Sequence, residues 1–152
     1  MTSPVIVIYR IGNLLYRSHV PILPKFFSLL NRFLFSVWLP SSAKIGKKFA
    51  IGYWGLGVVI HSNSIIGDRV QICQNVTIGR NFGDKRVPVI GNNVYIGAGS
   101  VVFGEIEIGD NVIIGSNSLI NKSIPPNCTV VGNPMRIIEK KRILKYYELD
   151  RK

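Results

Sequence analysis

Histidine is the side chain that most often takes up a proton near neutral pH, and the sequence holds two of them, His19 and His61. His19 lies in a basic N-terminal region beside a proline, which is typical of a surface or helix-end residue. His61 follows an isoleucine at a position where this chain otherwise prefers glycine, so its ring is expected to project outward from a turn. We interpret His61 as a candidate general base acting on a hydroxyl group. A hydrogen-bonded structural residue is the alternative.

A six-residue repeat positions His61. Twelve aliphatic residues recur between Ile45 and Ile120, mostly six apart, and glycine follows eight of them. The turns between them are rich in Gly and Asn, which tolerate positive φ best. One hexad cannot bury its own isoleucine, whereas stacked hexads bury a continuous column. We therefore predict a parallel β-helix in which three short strands make each coil of a triangular prism.

The repeat is interrupted twice, and both interruptions are candidates for a binding face. Nine residues separate Ile51 from Ile60, and twelve separate Ile78 from Ile90. Three hexads per coil place Ile78 one coil beyond Ile60, so the loop from Arg80 to Val89 should leave the prism at the corner of His61. The first interval ends immediately before His61, and we expect it to meet His61 as well.

The two cysteines, Cys73 and Cys128, are too few for a disulfide framework or a metal cluster. As a nucleophile, Cys73 would need a lowered pKa and a paired base, and the coil spacing puts it on another face from His61. With no paired histidine, no CxxC and no acidic cluster, we predict no metal site. The cysteine content favours a reducing, cytoplasmic location.

Two segments flank the repeat, which gives the predicted division 1–40, 41–133 and 134–152. Residues 1–40 are predicted to form two basic, amphipathic helices. They fit packing on the repeat or on another subunit, and they also fit peripheral contact with an anionic membrane. Residues 134–152 are predicted to form a basic C-terminal helix that caps the open coil.

The formal charge of +11 favours an acidic partner such as a phosphorylated cofactor or a membrane surface. The chain shows no nucleic-acid-binding motif, so we expect no nucleic acid as partner. It also shows no signal peptide and no stretch of roughly 20 apolar residues that would span a bilayer.

The repeat resembles the hexapeptide-repeat acyltransferases, and its details resemble their serine acetyltransferase-like branch, including short polysaccharide-modifying members. The matching segments are Gly55–His61, Gln74–Gly79, Ile96–Gly99, Ser123–Pro126 and Gly132–Ile137. The resemblance implies a left-handed parallel β-helix that assembles as a homotrimer.

The sequence departs from true serine acetyltransferases where those enzymes carry an Asp-His pair, because Tyr53 and Trp54 occupy these positions. Arg86 is kept in the loop, but Val87 replaces a second histidine of the family. The family dyad therefore cannot be transferred to this chain, which leaves His61 as the candidate base.

The resemblance implies acetyl-CoA as co-substrate, bound in the groove between neighbouring prisms. It places the pantetheine arm beside Gly97, Ala98 and Ser116, and the 3′-phosphate end near Lys122, Arg136 and Lys140. From the residues themselves we predict a backbone oxyanion donor at Gly79. We also predict acceptor contacts from Trp54, Asn75 and Arg86, with orientation of His61 as an alternative role for Asn75 and binding of the CoA phosphates as an alternative for Arg86.

These observations favour an acetyl-CoA-dependent O-acetyltransferase that acts on a hydroxyl of a surface-polysaccharide sugar or its precursor. An amino-sugar N-acetyltransferase is closely related. Serine O-acetylation and a non-enzymatic, membrane-associated β-helix scaffold are the alternatives.

Overall fold

The predicted repeat forms a parallel β-helix in a computed structural model, which describes residues 3–149. Two helices, α1 (Pro4–Arg17) and α2 (Leu23–Phe35), precede it. Its parallel strands are β1 (Lys44–Ile45), β2 (Ala50–Ile51), β3 (Val59–Ile60), β4 (Ile65–Ile66), β5 (Gln71–Ile72), β6 (Thr77–Gly79), β7 (Val89–Ile90), β8 (Tyr95–Ile96), β9 (Val101–Phe103), β10 (Glu107–Ile108), β11 (Ile113–Ile114), β12 (Leu119–Ile120) and β13 (Thr129–Val131). Strand β14 (Arg136–Glu139) and helix α3 (Tyr146–Leu149) follow.

The strands form three faces built from every third strand, and face C ends with the two consecutive strands β13 and β14. Face A is β3–β6–β9–β12, face B is β1–β4–β7–β10, and face C is β2–β5–β8–β11–β13–β14. Each parallel pairing joins residues one coil apart, and Ile60 pairs with Ile78 as the hexad spacing predicts. The chain therefore turns three corners in every coil: A to B, B to C, and C to A.

The repeated isoleucines fill the inside of the prism. Ile60, Ile72, Ile78, Ile96 and Ile114 are fully buried. Fully burying an isoleucine stabilises a fold by roughly 1.5–3 kcal/mol relative to leaving it exposed. Because each coil contributes such residues to all three faces, the column forms one continuous hydrophobic core.

The corner from face B to face C is held by a ladder of side chains that bond to backbone N–H groups. Asp68 Oδ1 accepts from Lys47 N–H at 2.7 Å, and Asn92 Oδ1 accepts from Asp68 N–H at 2.8 Å. Asp110 Oδ1 accepts from Asn92 N–H at 2.6 Å. Each of these side-chain oxygens thus accepts a hydrogen bond from a backbone N–H group of the turn one coil earlier. These bonds hold successive coils together at this corner.

Helices α1 and α2 pack on each other and on the first coil. Val5, Ile6 and Tyr9 of α1 are buried, and the Tyr9 hydroxyl donates to the Ala43 carbonyl at 2.6 Å. Burial raises the pKa of Tyr9. The Arg10 guanidinium donates to the carbonyl of Ile45 at 2.7 Å and also to that of Gly46, so it covers the open edge of face B.

The C-terminal segment differs from the predicted helix over 134–152. Strand β14 pairs antiparallel with β13, and within the described residues only Tyr146–Leu149 is helical after it. The predicted C-terminal helix is confirmed only as the short α3, because the apolar spacing before it was read as helical although Arg136–Glu139 form a strand. The edge of β13 instead offers Ile137 and its neighbours hydrogen-bonding partners, which an isolated short helix lacks.

Arg142 closes this end of the prism. Its guanidinium is buried and donates to the carbonyls of Asn111 and Leu144, and its backbone N–H donates to the Asn127 carbonyl. Burial lowers the pKa of Arg142. Arginine side chains therefore cover carbonyls at both ends of the stack, Arg10 at the first coil and Arg142 at the last.

Candidate active site

His61 lies at the A-to-B corner, directly after β3. Its backbone N–H donates to the Ile78 carbonyl at 2.9 Å, and its own carbonyl accepts from Ser64 N–H at 3.0 Å. Its ring is partly exposed. The backbone of His61 is thus fixed by the sheet while its side chain remains accessible from solvent.

Gly79 lies one coil beyond His61 and leaves space at the same corner. A methyl group built on Gly79 would meet only Thr77 Cγ2, at 3.9 Å, whereas one built on Gly97 would come within 2.5 Å of the Ser116 backbone nitrogen. The coils can stack closely at position 97 only because glycine has no side chain there. At position 79 the stacking of the coils would leave room for a side chain. Instead, the missing side chain of Gly79 keeps the corner beside His61 open.

The imidazole of His61 accepts a hydrogen bond from the backbone. Asn63 N–H donates to His61 Nδ1 at 3.1 Å. In a neutral ring this contact leaves the proton on Nε2, so the free tautomer is a donor at Nε2. Acting as a base through Nε2 requires the other tautomer and loss of the Asn63 contact, which costs about 0.5–1.5 kcal/mol.

The loop between β6 and β7 leaves the prism at the His61 corner, as predicted, and Glu105 ties it to the next coil. Glu105 Oε1 accepts from Arg86 Nε at 2.5 Å, and Glu105 Oε2 accepts from Lys85 N–H at 3.3 Å. The hydrogen bond from Arg86 lowers the pKa of Glu105 and raises that of Arg86. Arg86, predicted as an acceptor contact, is thus paired within its own chain.

Trp54 and Asn75 lie at the C-to-A corner, at the opposite end of face A from His61. The interval from Ile51 to Ile60 turns there through Tyr53 and Trp54, whose φ values are 46° and 53°. The expectation that this interval meets His61 was therefore wrong. The interval leads into β3 at the start of face A, and His61 follows β3 at the end of that face. Strand β3 therefore separates the interval from His61.

An open apolar pocket of about 530 Å³ accompanies Trp54 at this corner. Leu34, Phe35, Tyr53 and Leu56 line it together with Trp54, and the rings of Phe35 and Trp54 meet edge to face with centroids 5.8 Å apart. This pocket has no linear signature in the sequence, because Leu34 and Phe35 in its lining come from the end of α2. The unusual exposure of large apolar side chains around Trp54 becomes visible only once α2 is placed.

Asn75 is held by the coil before it. Its backbone N–H donates to the Leu56 carbonyl at 2.8 Å, and its φ of 57° is one that asparagine tolerates. Its side-chain oxygen lies 2.0 Å from where a methyl group on Gly57 would stand. Asn75 therefore shapes the C-to-A corner, and its predicted contact with the acceptor stays a prediction.

The residues predicted for CoA fall into three places. Gly97, Ala98 and Ser116 form a column at the C-to-A corner, where Asn117 N–H donates to the Ala98 carbonyl at 2.8 Å. Lys122 is exposed at the A-to-B corner, below the loop. Arg136, on β14, and Lys140, just after it, are exposed at the edge of face C.

Gly79 itself is the last residue of β6, where it pairs with Phe103, and its carbonyl accepts from Gly104 N–H at 3.3 Å. Its assignment as the oxyanion donor stays a prediction. Glu105, which follows this glycine turn, was missed in the sequence, although Phe103 marked the position as an exception to the Ile-Gly pattern.

Neither a metal cluster nor a membrane span is found in the part of the chain that the structure describes. No group of three or more His, Cys, Asp or Glu side chains converges among residues 3–149. None of the helices within the same residues is long and apolar enough to cross a bilayer.

Comparison with known proteins places this geometry in a family. Residues 88–122 match the model for the bacterial transferase hexapeptide (six repeats). The serine acetyltransferase of Staphylococcus epidermidis is 42% identical over 144 residues, which cover 92% of this chain and 67% of that protein. The serine acetyltransferase of Synechococcus elongatus is 39% identical over 135 residues, which cover 88% and 55%.

Solved structures agree. The crystal structure of a serine acetyltransferase in complex with coenzyme A from Brucella abortus superposes with a TM-score of 0.86 and 28% identity, covering 91% of this chain and 56% of that one. The chain spans between about half and two thirds of the length of the relatives that it matches. The predicted left-handed β-helix fold is confirmed, and the chain belongs to the hexapeptide-repeat acyltransferases, in the branch of the serine acetyltransferases.

Proposed function

We propose that this protein is an acetyl-CoA-dependent O-acetyltransferase with His61 as its general base. The observation that carries the proposal is the A-to-B corner, where the one histidine of the solenoid stands beside the open space above Gly79 and the loop between β6 and β7. The named relatives support acetyl transfer, and one of them was solved with coenzyme A bound.

Serine is the acceptor that the relatives support best. Each of the three described above is named a serine acetyltransferase. The polysaccharide acceptor expected from the sequence has no such support. Because Tyr53, Trp54 and Val87 occupy the positions where serine acetyltransferases carry an Asp-His pair and a second histidine, His61 takes the role of base in this proposal.

The reaction needs no covalent enzyme intermediate. His61 Nε2 removes the proton from the acceptor hydroxyl as its oxygen attacks the acetyl carbonyl carbon. The tetrahedral oxyanion then expels the CoA thiolate, which takes the proton back from the imidazolium, so the ring ends neutral. General-base assistance is worth roughly 10²–10⁴-fold. The tautomer change costs about 0.5–1.5 kcal/mol, roughly two- to twelvefold, so base catalysis remains favourable.

The complete site is assembled between subunits in this proposal. Face A has His61 at one corner and both Trp54 and the column of Gly97, Ala98 and Ser116 at the other, and the short strands of face A separate the two corners. In the homotrimer that the family resemblance implies, the His61 corner of one prism lies beside the opposite corner of the next. Acetyl-CoA would then lie in that groove, with its phosphate end towards Lys122, Arg136 and Lys140.

A sugar hydroxyl is the second candidate acceptor, and the pocket around Trp54 favours it. Tyr53 and Trp54 are both exposed there and together present two aromatic rings. Aromatic rings give a sugar ring an apolar surface against which to pack. This pocket has no evident use for a molecule as small as serine.

The test is the release of free CoA thiol from acetyl-CoA with serine, with a panel of neutral sugars and with amino-sugars. We expect thiol release with a hydroxyl acceptor and a higher melting temperature in the presence of CoA. Trp54→Ala separates the two acceptors, because it should raise KM for a sugar and leave that for serine unchanged. Absence of both acetylation and CoA binding would overturn the enzyme proposal in favour of a scaffold.

Binding of the phosphate end is tested separately. Arg136→Ala should raise KM for acetyl-CoA but have little effect with the dephospho form, which lacks the 3′-phosphate. An equal effect on both forms would remove Arg136 from the phosphate contact.

A further inference from the structure

Helix α2 carries several of its large apolar residues on the side that faces away from the protein, whereas Phe27, Leu30 and Phe35 are half-buried. Ile22, just before the helix, and Phe26, Leu29 and Phe33 follow at helical spacing of four, three and four residues, and they are 80%, 54%, 46% and 84% exposed. We call these four residues the outer stripe. Within the helix, at 100° per residue, Phe26, Leu29 and Phe33 share one narrow arc of the surface, and Ile22 extends the stripe beyond the first turn.

The opposite side of α2 is polar and buried. Ser28 is 6% exposed and Asn31 is fully buried. Ser28 Oγ lies 3.0 Å from Ser41 Oγ, and Asn31 Nδ2 donates to the Val5 carbonyl at 3.1 Å. A surface helix of a globular protein normally has the reverse arrangement, with its apolar stripe inside. The outer stripe therefore calls for an apolar partner outside this chain.

The charge around the outer stripe is of one sign. No aspartate or glutamate occurs before Asp68 in the sequence. Lys25 and Arg32, seven residues apart, lie beside the outer stripe on α2, and Arg17 ends α1. These three side chains are exposed, whereas Arg10 is bonded to the first coil.

We propose that the outer stripe and its flanking cations dock the protein onto the surface of an anionic lipid bilayer. The helix lies in the interface, its apolar side chains enter the acyl boundary, and Lys25 and Arg32 contact lipid phosphates. This inference goes beyond acetyl transfer and does not depend on it, because none of these residues belongs to the candidate active site.

Charge favours a lipid surface over the pairing of two outer stripes from two copies of this chain. Two copies meeting through the outer stripe would bring Lys25 and Arg32 of each against the same cations of the other, with no acidic side chain on either helix to compensate. Like charges across an interface disfavour association. An anionic bilayer instead offers an apolar layer and negative charge in the same geometry.

A second feature of the same surface suits a lipid. A groove of about 310 Å³ with an almost wholly apolar lining opens between α2 and the first coil, and Lys25, Leu29 and Trp38 are among the residues that line it. Because Leu29 belongs to the outer stripe and Lys25 flanks it, the groove continues the proposed docking surface.

The experiment is co-sedimentation of the full chain with vesicles of phosphatidylcholine alone and of phosphatidylcholine with 30% phosphatidylglycerol. We expect binding to the anionic vesicles, weak binding to the neutral ones, and loss of most binding at 0.5 M salt, where charges are screened. Equal binding to both vesicles, or no binding to either at low salt, would overturn the proposal.

Two sets of variants identify the surface. Phe26→Ser with Phe33→Ser should lower the partition coefficient by roughly tenfold or more, whereas Ile143→Ser, an exposed apolar residue near the other end of the chain, should leave it unchanged. Lys25→Glu with Arg32→Glu should lower the partition coefficient by about 25-fold or more, because each lost cation accounts for about fivefold. The matched control, Lys47→Glu with Lys140→Glu, should have a smaller effect.

Equal losses in the test and control variants would overturn the proposal, since net charge or apolar content would then explain the binding. Light scattering of the same proteins tests the remaining possibility, which is that a second copy of this chain packs on the outer stripe. If the serine variants reduce the size of the assembly and the unaltered chain binds no vesicles, the outer stripe is an interface between copies. The charge variants keep the test decisive if the serine variants fail to fold.

Discussion

The backbone N–H of His61 donates to the carbonyl of Ile78, and the two atoms are 2.9 Å apart. This bond belongs to face A, so it holds the start of the His61 corner against the coil that carries Gly79. The candidate base and the open space beside it are therefore placed by the same parallel ladder that forms the fold.

Replacing His61 by asparagine tests the base directly. We expect kcat to fall by roughly 10²-fold or more, because asparagine cannot take up a proton. The melting temperature should change little, since the ring is partly exposed and the core residue beside it, Ile60, is retained. The control is His19→Asn, at an exposed site in the turn between α1 and α2, which should keep full activity. An unchanged rate in the His61 variant would remove it as the base.

Filling the corner at Gly79 should impair activity without loss of fold. The space there accepts a methyl group with only an ordinary contact to Thr77. We expect kcat/KM to fall by roughly 10–100-fold along the series Gly79→Ala and Gly79→Val, as the larger side chain displaces the reacting groups. Thermal unfolding of the same proteins provides the control and should show equal or higher stability. Full activity in the valine variant would place the reaction elsewhere.

The tautomer of His61 can be read by nitrogen NMR on the free protein. The hydrogen bond from Asn63 predicts that the neutral ring carries its proton on Nε2. The shifts of the two ring nitrogens should therefore show Nδ1 as the unprotonated one at high pH. A protonated Nδ1 would mean that the Asn63 contact is absent in solution and that no tautomer change precedes catalysis.

The Arg86–Glu105 pair predicts a titration that can be measured at one carboxyl group. Arg86 lowers the pKa of Glu105 below the ordinary value of 4.5. Because the folded-state pKa is lowered, the pair is present above the ordinary carboxyl pKa and is lost as pH falls through the lowered one. Carbon NMR should show this shift, and Arg86→Ala should raise the pKa of Glu105 towards the ordinary value, although the hydrogen bond from Lys85 N–H remains. The effect on global stability should be small, since the pair is exposed.

Arg142 should be the more important arginine for stability. Replacing it by methionine keeps its apolar bulk but removes donors from the carbonyls of Asn111 and Leu144. The buried Asn111 carbonyl then loses a partner, so we expect unfolding in urea to lose about 1–3 kcal/mol. Lys140→Ala, at an exposed neighbouring site, should change stability by less than about 0.5 kcal/mol. Equal effects of the two substitutions would contradict the assigned role of Arg142.

The sequence repeat was sufficient to predict the strands and their register. Because the inward residues recur every six positions, the pairing of Ile60 with Ile78 follows from counting three hexads. The same arithmetic predicted correctly that the longer loop shares the corner of His61. Helices α1 and α2 also agree with their predicted segments, since prolines mark their starts.

The spacing of the hexads did not show at which corner the interval from Ile51 to Ile60 lies. Residues that are near His61 in sequence can lie at the other end of the same strand. Tyr53 and Trp54 precede β3 and His61 follows it, and the two residues of β3 are enough to separate them. The C-terminal strand was missed for another reason. Its pairing partner, β13, is a tertiary feature that overrides the helical spacing of residues 137–147.

Strand β14 has a consequence for the length of the molecule. Each parallel strand offers the next coil an edge of the same polarity, so a stack of hexads can in principle continue without limit, even into another molecule. The reversed direction of β14 breaks that template on face C, and the cation of Arg136 stands on the reversed strand. The reversed strand thus withdraws the parallel edge of face C from further stacking, and with it one route to end-to-end polymerisation.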